Sequence, residues 1–182
     1  NDIWIVDRAG GEARRLTTAE GAEIEPRLSP DGRLVAFTGQ YDGNTDVYVV
    51  GIEGGAPRRL THHPGSDSVR GWTPDGAVLF TSGRDVPPTG APRLWTIAPD
   101  AAMPTALPLP RAARGALDAS GRRLAYQKVE PWDIEWRNYR GGQANPIRLL
   151  DLETLEMSKL PWAGSHDTDP VFLGGMVYFL SD

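Results

Sequence analysis

Three groupings in this sequence hold residue types that do chemistry, and each is set against its simplest alternative. Ser165-His166-Asp167 contains the three side-chain types of a nucleophilic triad. Consecutive residues cannot converge on one reacting atom, and no Gly-x-Ser-x-Gly turn occurs in the chain. His62 and His63 are adjacent, and neighbouring side chains on extended backbone point apart, which argues against chelation by both. Asp42, Asn44, Asp46 and Glu53 fall at the spacing of calcium-loop positions one, three, five and twelve. Position six needs glycine and is Val47, inside a predicted strand, so the segment reads as a plain Asp-Gly turn. No glycine-rich phosphate loop or zinc ligand set is legible. The expectation is a chain with no catalytic residues, no metal and no cofactor.

The richest recognition chemistry lies in the stretch 130–146, which includes Trp132, Trp136, Arg137, Tyr139 and Arg140. Loops this long without secondary structure are uncommon and often functional. Tryptophan, tyrosine and arginine are the residues that dominate binding surfaces. The arginines suit a peptide carboxylate through paired hydrogen bonds, and the rings supply apolar contact. Trp136, Arg137, Tyr139 and Arg140 are therefore the candidate peptide contacts. The plainer alternative is that the aromatics pack over the fold or against another domain.

The elements that carry these groups repeat. Leu28-Ser29-Pro30-Asp31-Gly32-Arg33-Leu34-Val35-Ala36-Phe37 reads as strand, tight turn, strand. Pro30 presets φ, Asp31 bonds its own backbone, and Gly32 accepts positive φ. The phrase returns at Thr73-Pro74-Asp75-Gly76, Ala119-Ser120-Gly121 and Leu173-Gly174-Gly175, with Gly32, Gly76, Gly121 and Gly175 spaced 44, 45 and 54 residues apart. Gly10-Gly11…Arg14-Arg15-Leu16-Thr17 recurs as Gly54-Gly55…Arg58-Arg59-Leu60-Thr61. Between these phrases lie short apolar runs: Ile3-Trp4-Ile5-Val6, Val47-Tyr48-Val49-Val50, Leu94-Trp95-Thr96-Ile97 and Ile147-Arg148-Leu149-Leu150.

A period in the mid-forties with four short strands per unit predicts an all-β fold of four-stranded antiparallel β-propeller blades, similar to WD40-type repeats. No stretch has the 3.6-residue apolar spacing of a helical repeat. The chain's 182 residues amount to about four blade equivalents. The expected division is a half blade at 1–17, blades at 18–61, 62–108 and 109–160, and a half blade at 161–182. Arg14-Arg15 suits either an anion site or a solvated outer strand blunted by charge, and the second reading is preferred.

The net charge of −5 gives no basic surface for nucleic acid. Of 19 basic residues only Lys128 and Lys159 are lysine, and cysteine is absent, which excludes disulfides and thiolate metal sites. No apolar run reaches bilayer length and none reads as a signal peptide. The chain opens on Asn1 and both ends fall inside a repeat, so an excerpt of a longer protein is expected.

The phrases Ser29-Pro30-Asp31-Gly32…Tyr41-Asp42-Gly43-Asn44-Thr45-Asp46-Val47-Tyr48…Arg59-Leu60-Thr61-His62-His63-Pro64-Gly65 together resemble the propeller repeats of the TolB and tricorn group. Gly71-Trp72-Thr73-Pro74-Asp75-Gly76, Trp136-Arg137-Asn138-Tyr139-Arg140-Gly141-Gly142 and Asp167-Thr168-Asp169-Pro170 are closer to the tricorn branch. The resemblance covers essentially the whole chain. It implies the six-bladed amino-terminal propeller of a large cytoplasmic serine protease that degrades short peptides, where propellers act as channels and docking surfaces. It also implies that the catalytic serine and histidine lie far downstream, so no catalytic residue carries over. The implied partners are peptides and other domains of the parent protease, with no nucleic acid and no membrane. A TolB-type protein-binding scaffold and the propeller cap of a prolyl-oligopeptidase-like enzyme are the alternatives. The chain departs from the family in having about four blade equivalents rather than six. Its ends are expected either to complete a blade together or to leave an arc that self-associates through open blade edges.

Overall fold

A computed structural model describes residues 1–87, 91–130 and 144–182. Every regular element among them is a strand. The strands form three four-stranded antiparallel sheets and two of two strands. These are propeller blades, as the repeat predicts.

The best-formed blade shows how the repeat folds. Its strands β3 (Glu23–Leu28), β4 (Leu34–Tyr41), β5 (Asn44–Gly51) and β6 (Arg58–Arg59) lie side by side in that order. The turn between β3 and β4 is closed by its own side chains. Ser29 donates to Asp31 Oδ1 at 2.6 Å, and Leu34 N donates to Ser29 Oγ at 2.9 Å. Gly32 takes φ 71°, a region that costs any side-chain-bearing residue. The next hairpin turns on Asp42 and Gly43 (φ 53° and 79°), with Tyr41 paired to Asn44. Two consecutive positive-φ residues match the twist of a tight hairpin. The segment is the Asp-Gly turn expected of it.

β4 and β5 are buried on both faces because a sheet lies against each. On one face Val35, Phe37, Tyr48 and Val50 meet Ile3 and Leu16. Phe37 and Tyr48 are cross-strand partners whose rings stack at 5.7 Å. Gly39 leaves the space that the Tyr48 and Tyr41 rings occupy: a Cβ there would stand 2.8 Å from the Tyr48 ring.

Two compact units divide the chain. The first comprises Asn1–Arg84 and Trp95–Thr105. It holds the half blade of β1 (Trp4–Ile5) and β2 (Arg14–Arg15), the blade just described, and the strands β7 (Asp67–Trp72) and β8 (Val78–Ser82). The boundary runs through β9 (Arg93–Ile97) and β10 (Thr105–Ala106), which complete the sheet begun by β7 and β8. The second unit comprises Asp85–Leu94 and Ala106–Asp182. It holds a blade of β11 (Arg114–Leu117), β12 (Arg123–Gln127), β13 (Arg148–Asp151) and β14 (Met157–Lys159), and the hairpin of β15 (Asp167–Leu173) and β16 (Met176–Ser181). The β1–β2 and β15–β16 pairs remain separate two-stranded sheets.

Candidate functional site

The buried polar groups concentrate where one blade hands over to the next. Thr17 follows β2 and its hydroxyl accepts from Ile3 N at 2.9 Å. That hydroxyl donates to Glu23, the buried first residue of β3. Glu23 also accepts from the Tyr41 hydroxyl. Burial and the Glu23 carboxylate together push the Tyr41 phenol well above its ordinary value. The same arrangement recurs one blade on. Thr61 accepts from Val47 N at 3.0 Å and donates to Asp46 Oδ1 at 3.1 Å. Asp67, the buried first residue of β7, lies beside Thr61 and Ser82 and is paired with Arg84. Burial pushes the Asp67 carboxyl up, and its hydroxyl and guanidinium neighbours pull it partly back.

The repeated arginines belong to this latch. Arg15 pairs with Asp2 at 2.6 Å and donates to Thr17 O at 2.8 Å. Arg59 pairs with Asp46 at 2.5 Å and donates to Thr61 O at 2.8 Å. Arg14 donates to Ile52 O of the following blade at 2.5 Å, and Arg58 donates to Pro99 O. They blunt an outer strand, as expected, and they also tie each blade to the next.

In the second unit the latch is rebuilt. Leu107 N bonds Leu94 O as Leu60 N bonds Val47 O, which places Pro108 where Thr61 stands. Ala112 N bonds Pro92 O as Glu23 N bonds Asn1 O. The hydroxyl and the acid are thus both replaced, by Pro108 and the fully buried Ala112. Further on, Pro161 again takes the threonine position, but Asp167 keeps the acid. It accepts from Ser165 Oγ at 2.6 Å and Ser181 Oγ at 2.8 Å. Ser165 and Asp167 of the triad-like tripeptide therefore serve the latch, while His166 N bonds Asp182 Oδ1 at 2.9 Å.

A second polar layer sits at bulges in the first strands. Glu25 (φ 55°) and Asp169 (φ 53°) each precede a proline at a register shift. Glu25 bonds Arg70 at 2.6 Å and Asp169 bonds Arg114 at 2.5 Å. Arg114 is also held by Glu130 at 2.8 Å. A bulge re-aims a side chain, and here it turns each carboxylate onto the neighbouring first strand's guanidinium.

These groups are engaged with one another. Arg84 lies over the Phe80 and Trp95 rings at 5.2 and 5.3 Å while pairing with Asp67. His63 Nδ1 accepts from its own loop's Gly65 N at 3.0 Å. Asn44 bonds Asp46 and His63 O, and Asp46 is committed to Arg59. Among the described residues no group of three acids or histidines could hold a metal ion. The second unit carries an open groove of about 440 Å³ lined by Leu149, Met157, Ser158 and Glu156. Trp136, Arg137, Tyr139 and Arg140 lie outside the described residues.

The sequence reading missed the latch, though its signal was present. Thr17 and Thr61 each precede an acid by six residues, as Glu23 and Asp67. That spacing becomes informative only when the blades are stacked.

Residues 1–182 match the sequence model described as Tricorn protease N-terminal beta propeller domain. The crystal structure of the tricorn protease superposes on 98% of this chain and 18% of that one, with a TM-score of 0.81 and 25% identity. A putative TolB from Agrobacterium tumefaciens superposes on 98% of this chain and 62% of that one, with a TM-score of 0.77 and 20% identity. Among curated proteins, the Protein TolB homolog of Chlorobium chlorochromatii is 42% identical over 36 residues, which cover 20% of this chain and 8% of that protein. The chain thus spans less than two thirds of the length of each of these relatives.

Proposed function

The chain belongs to the tricorn protease N-terminal β-propeller family, and from that premise we propose that it serves a tricorn-like serine peptidase of the cytoplasm as a non-catalytic domain that docks and guides peptides. The observation that carries this reading is the match over all 182 residues, together with the engagement of the buried carboxylates of Asp46 and Asp67 in structural pairs with arginine. Such a domain holds rather than reacts, and its partners are peptides and the parent's other domains.

The 130–146 stretch is the peptide-contacting element in this reading. Arg137 and Arg140 meet a peptide carboxylate, and Trp136 and Tyr139 cover its side chains. Arg137→Ala with Arg140→Ala in the parent enzyme is expected to raise KM for short peptides about tenfold or more, the loss of one charge-assisted contact. Unchanged kinetics would retire the assignment. Polypeptide downstream encoding a PDZ-like segment and a serine peptidase domain is the expected context. The TolB likeness favours a second reading, a scaffold for a protein partner. A signal sequence and a short amino-terminal domain in the gene would support that reading instead.

A further inference from the structure

The outer strands of the repeat carry a balanced trio of acid, aromatic ring and arginine. In the best-formed blade Phe37, Tyr48 and Arg59 are partners across β4, β5 and β6. Asp46, two residues before Tyr48, pairs with Arg59 at 2.5 Å. In the first sheet Trp4 is the partner of Arg15, and Asp2, two residues before Trp4, pairs with Arg15 at 2.6 Å.

The blade of the second unit breaks this balance. The same register aligns Tyr126, Arg148 and Lys159 across β12, β13 and β14. Arg148 stands where the other two sheets have a ring, and Pro146 stands where they have the acid. Like charges directly opposite on neighbouring strands repel. No carboxylate among the described residues pairs with Arg148 or Lys159. The Arg148 Nε is buried without a hydrogen-bond partner, so this donor has lost its water and gained no acceptor. The chain as a whole is acidic, with a net charge of −5, which makes the positive spot a local feature.

We propose that Arg148 and Lys159 form an oxyanion site for a carboxylate of an acidic peptide segment, which supplies from outside the acid that Asp2 and Asp46 supply from within. The assignment uses only residues of one blade and does not depend on the peptidase reading. The guanidinium offers a planar fork to a carboxylate, and the ammonium offers a compact second charge. The Tyr126 hydroxyl is a third donor on the same face, and it donates only to the weak acceptor Met157 Sδ at 3.5 Å. Burial pushes the Tyr126 phenol up and the Arg148 guanidinium pulls it partly back, so the two groups share one field.

The surroundings favour a peptide over a free ion. Lys159 Nζ lies over the Trp162 ring at 5.5 Å. Met157, two residues from Lys159 on the same face of β14, is 66% exposed, and Trp162 is 37% exposed. These apolar groups beside the two cations suit the residues that flank an acidic one in a chain.

The test is fluorescence anisotropy of a labelled, end-capped peptide with one glutamate flanked by leucines, titrated with the full chain beside its glutamine counterpart. The glutamate peptide is expected to bind at least tenfold more tightly, with an affinity that falls as salt rises. Arg148→Tyr restores the ring of the repeat. It is expected to keep the strand circular-dichroism signal and a thermal midpoint no lower than that of the natural chain, and to weaken glutamate-peptide binding at least tenfold. Lys159→Gln, on an exposed strand, is expected to weaken binding in the same direction without touching the interior. Equal binding of the two peptides, or none, would overturn the proposal. So would an Arg148→Tyr or Lys159→Gln protein that binds as the natural one does. Displacement of the peptide by micromolar inorganic phosphate would also overturn it, by giving the site to a free ion.

Discussion

At the scale of single residues, the chain uses charge for attachment. Asp67 is fully buried and Arg84 nearly so, and the pair is sealed by two aromatic rings. Asp67→Ala strands a buried guanidinium and is expected to cost about 3 kcal/mol or more in urea unfolding. Adding Arg84→Met is expected to restore most of that loss, because an apolar pair avoids the desolvation of both charges. Ala112 shows that this fold accepts an apolar latch at the equivalent position. A double variant no more stable than Asp67→Ala would contradict this account. A different carboxylate answers to pH. Asp151 accepts from Glu153 N and Thr154 N, and pairs with Arg122 at 2.7 Å. These contacts hold its carboxyl down from 3.8 to about 2. A lowered folded value stabilises the fold above the unfolded value, and the contribution fades as pH falls from 3.8 toward about 2. The stability difference between the natural chain and Asp151→Asn is therefore expected to shrink across that window, as read from urea midpoints at stepped pH.

At the scale of elements, the first two strands of each four-stranded blade are joined by a turn that closes on itself. Ser29 accepts from two backbone amides and donates to Asp31. Ser29→Ala is expected to cost about 1 kcal/mol in thermal or urea unfolding, the usual worth of such a bond. Thr73 and Asp118 fill the same role before their own strands, with Ala77 N on Thr73 Oγ1 at 2.8 Å and Arg123 N on Asp118 Oδ1 at 3.1 Å. Three different side chains thus solve one problem, which is why the turn phrase varies while its period persists. The strands themselves were legible from their apolar runs and the glycine spacing. Bulges at Glu25 and Asp169 were not, because a bulge is fixed by what the neighbouring strand presents, here Arg70 and Arg114.

At the scale of the whole molecule, about half of the exposed large apolar residues among the described ones sit at or beside the first and last sheets: Trp4, Val6, Val171, Leu173, Met176, Tyr178 and Leu180. Interior blades bury the equivalent positions, Ala36, Thr38, Tyr48 and Val50. The two end sheets have two strands each where a complete blade has four.

The order of residues alone determined that the described residues are strand and turn and that the chain folds in units of about 44 residues. Local turn geometry and two-residue alternation dictate such features without reference to distant contacts. Only the tertiary structure decided which charges are paired and why Thr17 and Thr61 stand six residues before an acid. Those outcomes depend on groups dozens of residues distant being desolvated together, and the strength of a buried charge pair is set by that shared environment rather than by either residue's neighbours in the chain.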